Sequence, residues 1–246
     1  MDKPTDKPTS LGMNRTGVGL VPARVKEMTS GIDQLQAPVS AQDGVRIEEL
    51  RTELSKNSPP VGLMPPPPTV KGAAKAAVQA LKGNAPLVFL DKLGERLAYE
   101  RGGVRLYQAM LAKWEAAGSH PGGPTREELE RLCNEELRHF GLVEAAILKL
   151  GADPTVITPS ADTIAVATHG FFQLLADPRA TLTECENALL AVELADNEGW
   201  RMLVWLAEKL VQDEVARDFT VALREEEEHL MLVRRWVGNA VFGQAG

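Results

Sequence analysis

Two glutamate–histidine pairs with the same spacing occur in this sequence: Glu136 with His139, and Glu226 with His229. Residues three apart on an α-helix share a face and are separated by a rise of about 4.5 Å along the axis. That rise is close to the ~3.5–4 Å separation of the ions in paired metal sites. Each Glu-x-x-His can therefore provide ligands to both ions of one pair.

A single glutamate precedes each pair at a similar distance. Glu100 lies 36 residues before Glu136, and Glu193 lies 33 residues before Glu226. The chain thus contains two copies of one pattern, a lone Glu followed by a Glu-x-x-His. Such internal repetition predicts two helical hairpins related by a pseudo-twofold axis.

Apolar residues recur at alternating intervals of three and four along four segments, and the candidate ligands lie in the middle of these stripes. A buried carboxylate without a partner costs several kcal/mol, so it must be protonated, ion-paired or bound to metal. The two histidines are the only cationic groups that the pattern places on the stripes. Two divalent cations would satisfy the cluster, and the alternative is a metal-free buried polar layer. The stripes place six candidate ligands at one level: Glu100, Glu136, His139, Glu193, Glu226 and His229.

Helix start and stop signals bound each stripe. The loop that begins at Gly118 ends the first helix, a Thr125-x-x-Glu128 capping box begins the second, and a short connection makes the last two antiparallel. The sequence predicts an all-α antiparallel four-helix bundle over residues 85–246, more than ~70% helical. Its helices should cover residues 84–117, 125–150, 182–210 and 213–241, with a short helix over 161–176 in the long crossover 151–181.

Residues 1–84 differ in character, since they are rich in Pro, Ser, Thr, Gly and Lys and show no sustained apolar period. We expect this N-terminal segment to be mostly disordered, with a short helix over residues 71–83. The run Pro65–Pro68 favours an extended spacer or a ligand for a peptide-binding domain. Residues 13–17 are either a docking peptide or an unstructured tail, and nothing identifies the partner.

Charge and composition exclude several classes. The net charge of −7 divides into about +3 for residues 1–84 and −10 for residues 85–246, which argues against nucleic-acid binding. No apolar run approaches the roughly 18 residues of a membrane span, and no signal peptide is apparent. Two cysteines suggest neither a disulfide framework nor a Cys-based metal site. A cytoplasmic location is expected.

The order of the six residues resembles the ferritin-like superfamily of di-iron carboxylate proteins, of the bacterioferritin and rubrerythrin type, over residues 85–246. The resemblance implies two Fe ions, with Glu136 and Glu226 as bridges and Glu100 and Glu193 as terminal ligands. It implies oxidation of Fe(II) by dioxygen or peroxide. Two cysteines cannot build the Cys₄ iron domain of rubrerythrins, so an electron donor would be a separate molecule.

Three alternatives to a di-iron oxidoreductase remain open. Manganese suits the same ligands and would favour a catalase-like activity. A non-catalytic metal-binding or stress-associated interaction protein needs no substrate path. An oxygenase for an organic substrate would need a pocket beside the metals, near Gly102-Gly103. The expected partners are dioxygen or peroxide, an external electron donor, a second copy of the chain in a homodimer and an unknown partner of the N-terminal segment.

Other residues near the cluster admit two interpretations each. Asp196, one turn after Glu193, is either a metal ligand or an acceptor for a histidine N–H. Tyr107 is either a relay for electrons or protons or an ordinary core residue, and Trp200 likewise. Gly102-Gly103 leaves room for a π-bulge or substrate, or permits close helix packing.

Four further residues are assigned outside the cluster. Glu186 is expected to be solvated near the start of its helix, and Glu225 to belong to a solvated acidic face. His120, in a Gly/Pro loop, and His169, in the crossover, are not assigned to the site.

Overall fold

The computed structural model describes residues 41–58 and 86–245. Helices make up 85% of these residues, and no strand occurs among them, which confirms the all-α prediction. None of the described helices is both long and apolar enough to cross a membrane. In chain order they are α1 (Ala41–Asn57), α2 (Pro86–Ala117), α3 (Arg126–Lys149), α4 (Pro159–Ala176), α5 (Leu182–Lys209) and α6 (Asp213–Ala245).

Helix α1 belongs to a different unit of the chain from the other five helices. Its side chains from Val45 onward are all exposed, and Ile47, Leu50 and Leu54 recur at helical spacing on its surface. Over these residues the structure differs from the disorder predicted for residues 1–84, because this short apolar period was missed. The predictions for residues 13–17, for Pro65–Pro68 and for a helix over 71–83 lie outside the described residues.

Helices α2, α3, α5 and α6 form a four-membered bundle in which α2 and α6 each pack against both α3 and α5. Contacts at opposite ends give the relative directions of α3 and α6. Arg235 near the end of α6 pairs with Glu128 in the first turn of α3, while Glu214 at the start of α6 pairs with Lys149 at the end of α3. These two helices are therefore antiparallel.

The same reasoning applies to α2 and α5. The Tyr99 hydroxyl of α2 donates to the Val192 carbonyl of α5, and further along α2 Lys113 donates to the Ala180 carbonyl just before α5 begins. Helices α3 and α5, both antiparallel to α2, consequently run in the same direction. Two parallel helices of one bundle require a long connection, which the crossover with α4 provides.

Capping interactions fix where the helices begin. The predicted capping box of α3 is present, with the Thr125 side chain accepting from the Glu128 amide and the Glu128 side chain accepting from the Thr125 amide. An equivalent box, formed by Thr181 and Glu184, begins α5. Each box satisfies amides that the first helical turn leaves free, so the starts of α3 and α5 are both defined locally.

Helix α4 confirms the short helix predicted in the crossover, and it is fastened along α2. The Asp91 carboxylate accepts from the amide and the hydroxyl of Ser160, and the Thr158 hydroxyl donates to the Asp91 carbonyl. A β-carbon at Gly94 would overlap the Thr158 side chain, so glycine is needed for this approach. At its other end, α4 is held through Lys113, which donates to the carbonyls of Asp177 and Ala180.

The core consists of two apolar clusters stacked along the bundle. One includes Phe89, Val143 and Phe219, and the other includes Met110 and Trp236. All six candidate ligands lie between the positions that these clusters occupy on the four helices. Full burial of each large apolar side chain contributes roughly 1.5–3 kcal/mol, which offsets the cost of holding a polar layer between the clusters.

Candidate metal centre

The structure brings the six candidate ligands together, and each has at most 1% of its surface exposed. They come from the middle of four helices, so their backbones are fixed by hydrogen-bonded helix on both sides. Helix α2 provides one carboxylate, α5 provides one, and α3 and α6 each provide a Glu-x-x-His. By helix, they are Glu100 of α2, Glu136 and His139 of α3, Glu193 of α5, and Glu226 and His229 of α6.

Glu226 lies between the two histidines. Its Oε1 is 2.6 Å from His139 Nδ1, and its Oε2 is 3.1 Å from His229 Nδ1. Glu100 Oε2 lies 3.8 Å from His139 Nδ1, whereas Glu136 Oε1 lies 3.4 Å from His229 Nδ1. The cluster therefore contains two neighbouring sets of donors that share one carboxylate.

Each set has the composition of a metal site. The ligand atoms of Glu100, His139 and Glu226 all lie within 4.8 Å of one another, and so do those of Glu136, Glu193, Glu226 and His229. Four carboxylates and two imidazoles offer the oxygen and nitrogen donors that divalent iron or manganese accepts. The cluster could bind a pair of metal ions.

The cluster also contains polar atoms that the protein itself leaves unsatisfied. Seven of its buried atoms make no hydrogen bond of good geometry to any described residue. A buried unsatisfied polar group costs about 1–3 kcal/mol, so seven in one layer require protons or cations from outside the chain. Bound cations fit this requirement. The seven atoms are Glu100 Oε2, Glu136 Oε2, His139 Nδ1, Glu193 Oε2, Glu226 Oε1, Glu226 Oε2 and His229 Nδ1.

The outer nitrogens of both histidines contact carboxylates across the α3–α6 interface. His139 Nε2 lies 2.8 Å from Glu225 Oε2, and His229 Nε2 lies 2.8 Å from Glu135 Oε2. A carboxylate that accepts from Nε2–H leaves the lone pair on Nδ1, the nitrogen that faces the cluster. Both rings are thus held with Nδ1, the nitrogen that can bind a metal ion, facing the cluster.

These two carboxylates stay ionised. Burial alone would raise the pKa of Glu135, but hydrogen bonds from His229 and Arg131 lower it, and His139 and Arg138 lower the pKa of Glu225 in the same way. Glu225 is partly exposed, as a solvated acidic face requires, but it also contacts His139 and Arg138, which the sequence analysis did not predict.

Arg96 places a buried positive charge beside the cluster. Its Nη1 lies 3.2 Å from Glu100 Oε1 and pairs with the carboxylate of Asp196. The expectation that histidines supply the only positive charges is wrong, because Arg96 reaches this level from the preceding turn of α2. Gly199 makes the approach possible, since a β-carbon there would overlap the guanidinium group.

Asp196 therefore has a partner that neither interpretation of the sequence considered. It is 1% exposed and forms an ion pair with Arg96. Its carboxylate still lies within 4.8 Å of ligand atoms of Glu100, Glu136 and Glu226. As long as Arg96 holds it, Asp196 neutralises that cation instead of adding a free donor.

Burial shifts the proton affinities of the cluster strongly. Desolvation raises the pKa of Glu100 to about 7 in spite of the nearby Arg96. Desolvation and the charge of Glu226 raise the pKa of Glu193 to about 8, and that of Glu136 is raised well above its usual value for the same reasons. Without metal, burial therefore favours the protonated forms of these three carboxyl groups to a pH well above the usual range of a glutamate.

Glu226 behaves in the opposite way. Burial alone would raise its pKa, but the imidazoles of His139 and His229 beside it lower it to about 2. Desolvation disfavours charged histidines, yet contact with Glu226 and other carboxylates raises the pKa of both. Without metal, contact with the ionised Glu226 thus favours the protonated form of both imidazoles, and bound cations would compete with those protons.

Comparison with known proteins gives no match: no family model matches this chain, and neither does any curated protein or any solved structure. The functional assignment of the cluster therefore depends on the residues of this chain and on their geometry.

Two large aromatic residues adjoin the candidate ligands. The Tyr107 hydroxyl donates to Glu193 Oε1 at 2.5 Å and is fully buried. The Trp200 indole packs edge-on against the His139 ring, with centroids 5.5 Å apart. Desolvation and the neighbouring carboxylates raise the pKa of Tyr107 well above its usual value, so its proton stays in place for this hydrogen bond.

The glycine pair of α2 has two separate roles. A β-carbon at Gly103 would overlap the Glu136 carboxylate, so the bare backbone makes room for a candidate ligand. A β-carbon at Gly102 would instead meet Phe172 of α4 at 3.2 Å. Helix α2 remains α-helical through both residues, so it contains no π-bulge there. Of the interpretations given for the glycine pair, close helix packing applies at Gly103, where the backbone of α2 lies against the Glu136 side chain of α3.

Glu186 lies away from the cluster and is not solvated as expected. It is fully buried, and both of its carboxylate oxygens lie 2.9–3.0 Å from His120 Nε2. Desolvation raises the pKa of Glu186, and the hydrogen bond from His120 opposes that rise. The pair ties the α2–α3 loop to α5, a structural role that the spacing of the sequence does not reveal.

Proposed function

We propose that this chain is a di-metal oxidoreductase of the ferritin-like type that holds two iron ions in the carboxylate–histidine cluster. The observation that carries the proposal is the position of Glu226, whose two oxygens face the Nδ1 atoms of His139 and His229. One carboxylate between two imidazoles is the arrangement expected of a ligand that bridges two ions. The parallel directions of α3 and α5, joined by a long crossover, also suit a bundle of this type.

The roles of the six residues follow from the two donor sets. Glu100 with His139 would hold one ion and Glu193 with His229 the other, and Glu226 and Glu136 would be shared between the two ions. Two iron ions held by these residues would be the redox agent. Bound Fe(II) would be oxidised while dioxygen or peroxide is reduced.

The surrounding residues control charge and protons at the cluster. Arg96 neutralises part of the negative charge at Glu100, so the two positions are electrostatically unequal. The Tyr107 hydroxyl oxygen lies 2.5 Å from Glu193 Oε1, where its proton can stabilise that carboxylate or be passed on. The apolar clusters on both sides exclude water, which strengthens every electrostatic contact between them.

Other parts of the proposal rest on general chemistry. An external donor would return electrons to the centre, because the chain contains only two cysteines and cannot build a Cys₄ redox domain. A cytoplasmic location is part of the same proposal. Manganese with catalase-like activity, and metal binding without catalysis, are the competing functions.

An anaerobic Fe(II) titration of the metal-stripped full chain tests the proposal. We expect two ions per chain, followed on addition of dioxygen or hydrogen peroxide by formation of Fe(III) and consumption of the oxidant. Glu226→Ala should abolish paired binding, whereas Glu228→Ala, an exposed carboxylate on the same helix, should not.

The other outcomes of this titration favour a competing function or reject the metal proposal. Two bound Fe(II) ions that are not oxidised would indicate metal binding without catalysis. Selective binding of Mn(II) with disproportionation of peroxide would indicate a catalase-like enzyme. The absence of binding of either metal at neutral pH would reject the metal proposal.

A further inference from the structure

A cavity of about 220 Å³ lies between α2 and α4, next to the glycine pair of α2. Its walls are mostly apolar and include Leu106, Ile164 and Phe172. Gly102 keeps it open, because even a β-carbon there would meet Phe172 Cζ at 3.2 Å. Helix α4 cannot easily swing away, since it is fastened to α2 at both ends. The cavity is therefore a fixed feature of the bundle.

The polar atoms inside the cavity are already satisfied by the protein. Tyr99 contributes its ring, but its hydroxyl donates to the Val192 carbonyl at 2.9 Å. The Thr168 hydroxyl donates to the Ile164 carbonyl at 2.8 Å within α4. The interior consequently offers little to a polar ligand group and suits an apolar body.

The rim of the cavity is cationic. Arg101 and Arg105, four residues apart on one face of α2, both line it and are exposed, as is His169 of α4. The lining includes no Asp or Glu, and within the described part of the chain neither arginine forms an ion pair. Like charges four residues apart on a helix repel each other, so an anion bound between them would relieve that repulsion.

The positive charge of this rim contrasts with the acidic body of the bundle. Residues 85–246 have a net charge of −10, and other arginines of the bundle, such as Arg131 and Arg138, are paired with glutamates. A neighbouring cavity of about 290 Å³ on the other side of Tyr99 includes Glu95 and Glu198 in its lining. Of these two cavities, only the one beside Gly102 combines an apolar interior with a rim that carries two arginines and no carboxylate.

We propose that the cavity binds a small amphipathic anion, an acidic head group on a short aliphatic or aromatic body. The guanidinium groups of Arg101 and Arg105 bind the head group, since they match the geometry of carboxylates and phosphates. The apolar body lies against Phe172 and reaches Gly102-Gly103. The backbone at Gly103 separates it from the Glu136 carboxylate. This inference does not rest on the proposed metal function.

Calorimetric titration of the full chain with octanoate tests the site, with metal-free and metal-loaded protein measured side by side. We expect saturable binding of one octanoate per chain in both forms, and no binding of octylammonium, which has the same body and the opposite charge. Octyl phosphate is the second arm: tighter binding of octyl phosphate than of octanoate identifies phosphate as the preferred head group at the same site.

Variants locate the binding. Arg101→Gln with Arg105→Gln should weaken octanoate binding by about tenfold or more, because two charge-assisted hydrogen-bonding partners are removed. Arg234→Gln, an exposed arginine on α6 outside the cavity, is the matched control and should bind normally. Gly102→Ala should weaken binding through the loss of volume, and circular dichroism checks that each variant is folded.

Three results would overturn the inference. The first is the absence of saturable binding of both octanoate and octyl phosphate. The second is binding of octylammonium as tight as that of octanoate. The third is unchanged octanoate binding by the double arginine variant. None of these results would affect the metal titration, so the two proposals fail independently.

Discussion

The Glu225 carboxylate lies 2.8 Å from His139 Nε2, on the ring nitrogen opposite the one that faces Glu226. Glu225 belongs to α6 and His139 to α3, so the residue that precedes one bridging candidate orients the histidine of the other hairpin. Glu135 and His229 repeat the relationship at the same distance. The pseudo-twofold repeat therefore extends beyond the ligands to the groups that orient them.

We predict that Glu225→Gln lowers the affinity for one of two bound metal ions by about 10–100-fold, because an amide orients and polarises the imidazole less well than a carboxylate. Calorimetric titration with Fe(II) or Mn(II) measures the effect. Arg138→Gln removes the cation that pairs with Glu225 but leaves the carboxylate in place. If Arg138→Gln reproduced the loss, the salt bridge and not the histidine contact would be responsible.

Gly103→Ala tests the packing of Glu136 against α2. Alanine normally stabilises a helix interior by about 1 kcal/mol relative to glycine. At Gly103 the added methyl group overlaps the Glu136 carboxylate, and we expect a net destabilisation of about 1–3 kcal/mol in urea unfolding. Gly141→Ala on α3, where nothing lies within 4 Å, should be stabilising. Equal effects of the two substitutions would contradict the packing described for Glu136.

Tyr107→Phe removes the hydroxyl that donates to Glu193. That hydrogen bond favours the charged carboxylate, so its loss should raise the pKa of Glu193 above about 8 and weaken metal binding near pH 7. We expect the variant to be about 1–2 kcal/mol less stable in thermal unfolding. Trp114→Phe, at a half-buried position further along α2, is a control for general loss of aromatic packing. A relay role for Tyr107 predicts in addition that oxidation slows more than binding weakens.

Stability of the metal-free chain should fall as pH rises from 6 to 8. The pKa values of Glu100, about 7, and Glu193, about 8, are raised above the unfolded value near 4.5, so the folded state holds more protons. The stability linked to those protons is full below about pH 4.5 and is lost as pH rises through 7 and 8. The raised pKa values of His139 and His229 act in the same direction above about pH 6.5.

Metal should reverse this trend, because cations compete with the same protons. The difference in melting temperature between metal-loaded and metal-free chain is expected to grow from pH 6 to pH 8. Differential scanning calorimetry at three pH values measures it. The depressed pKa of Glu226, about 2, contributes stability that is lost only below about pH 4.5 and does not affect this window. A difference that is constant or shrinks with pH would contradict the protonation pattern assigned to the cluster.

The 3-4 spacing of apolar residues in the sequence predicted which face of each bundle helix is buried. The alternating intervals of three and four placed Glu100, Glu136, Glu193 and Glu226 on buried faces, because a helical face is fixed by position alone. The capping box at Thr125 located the start of α3 from side-chain chemistry that acts within one turn. Both signals are local, and for that reason they can be read from the sequence.

Contacts made by long side chains could not be predicted in this way. Arg96 adjoins a stripe position, yet its guanidinium reaches Glu100 and Asp196 because Gly199 of another helix leaves space for it. Glu186 is buried and paired with His120, a histidine of the α2–α3 loop that no local spacing in the sequence connects with it. Glu225 is the exception, because a signal for its role was present but not used: Glu-Glu-x-x-His occurs twice, so the glutamate before each Glu-x-x-His is repeated as well.

The division of the cluster between two hairpins bears on the order of folding. Helices α2 and α3 carry Glu100, Glu136 and His139, while α5 and α6 carry the other three candidate ligands. Each hairpin can form from local contacts, but Glu226 meets His139 only after the two halves have docked. The polar layer is thus assembled at a late step, and bound cations would lengthen the lifetime of the native state without accelerating the formation of either hairpin.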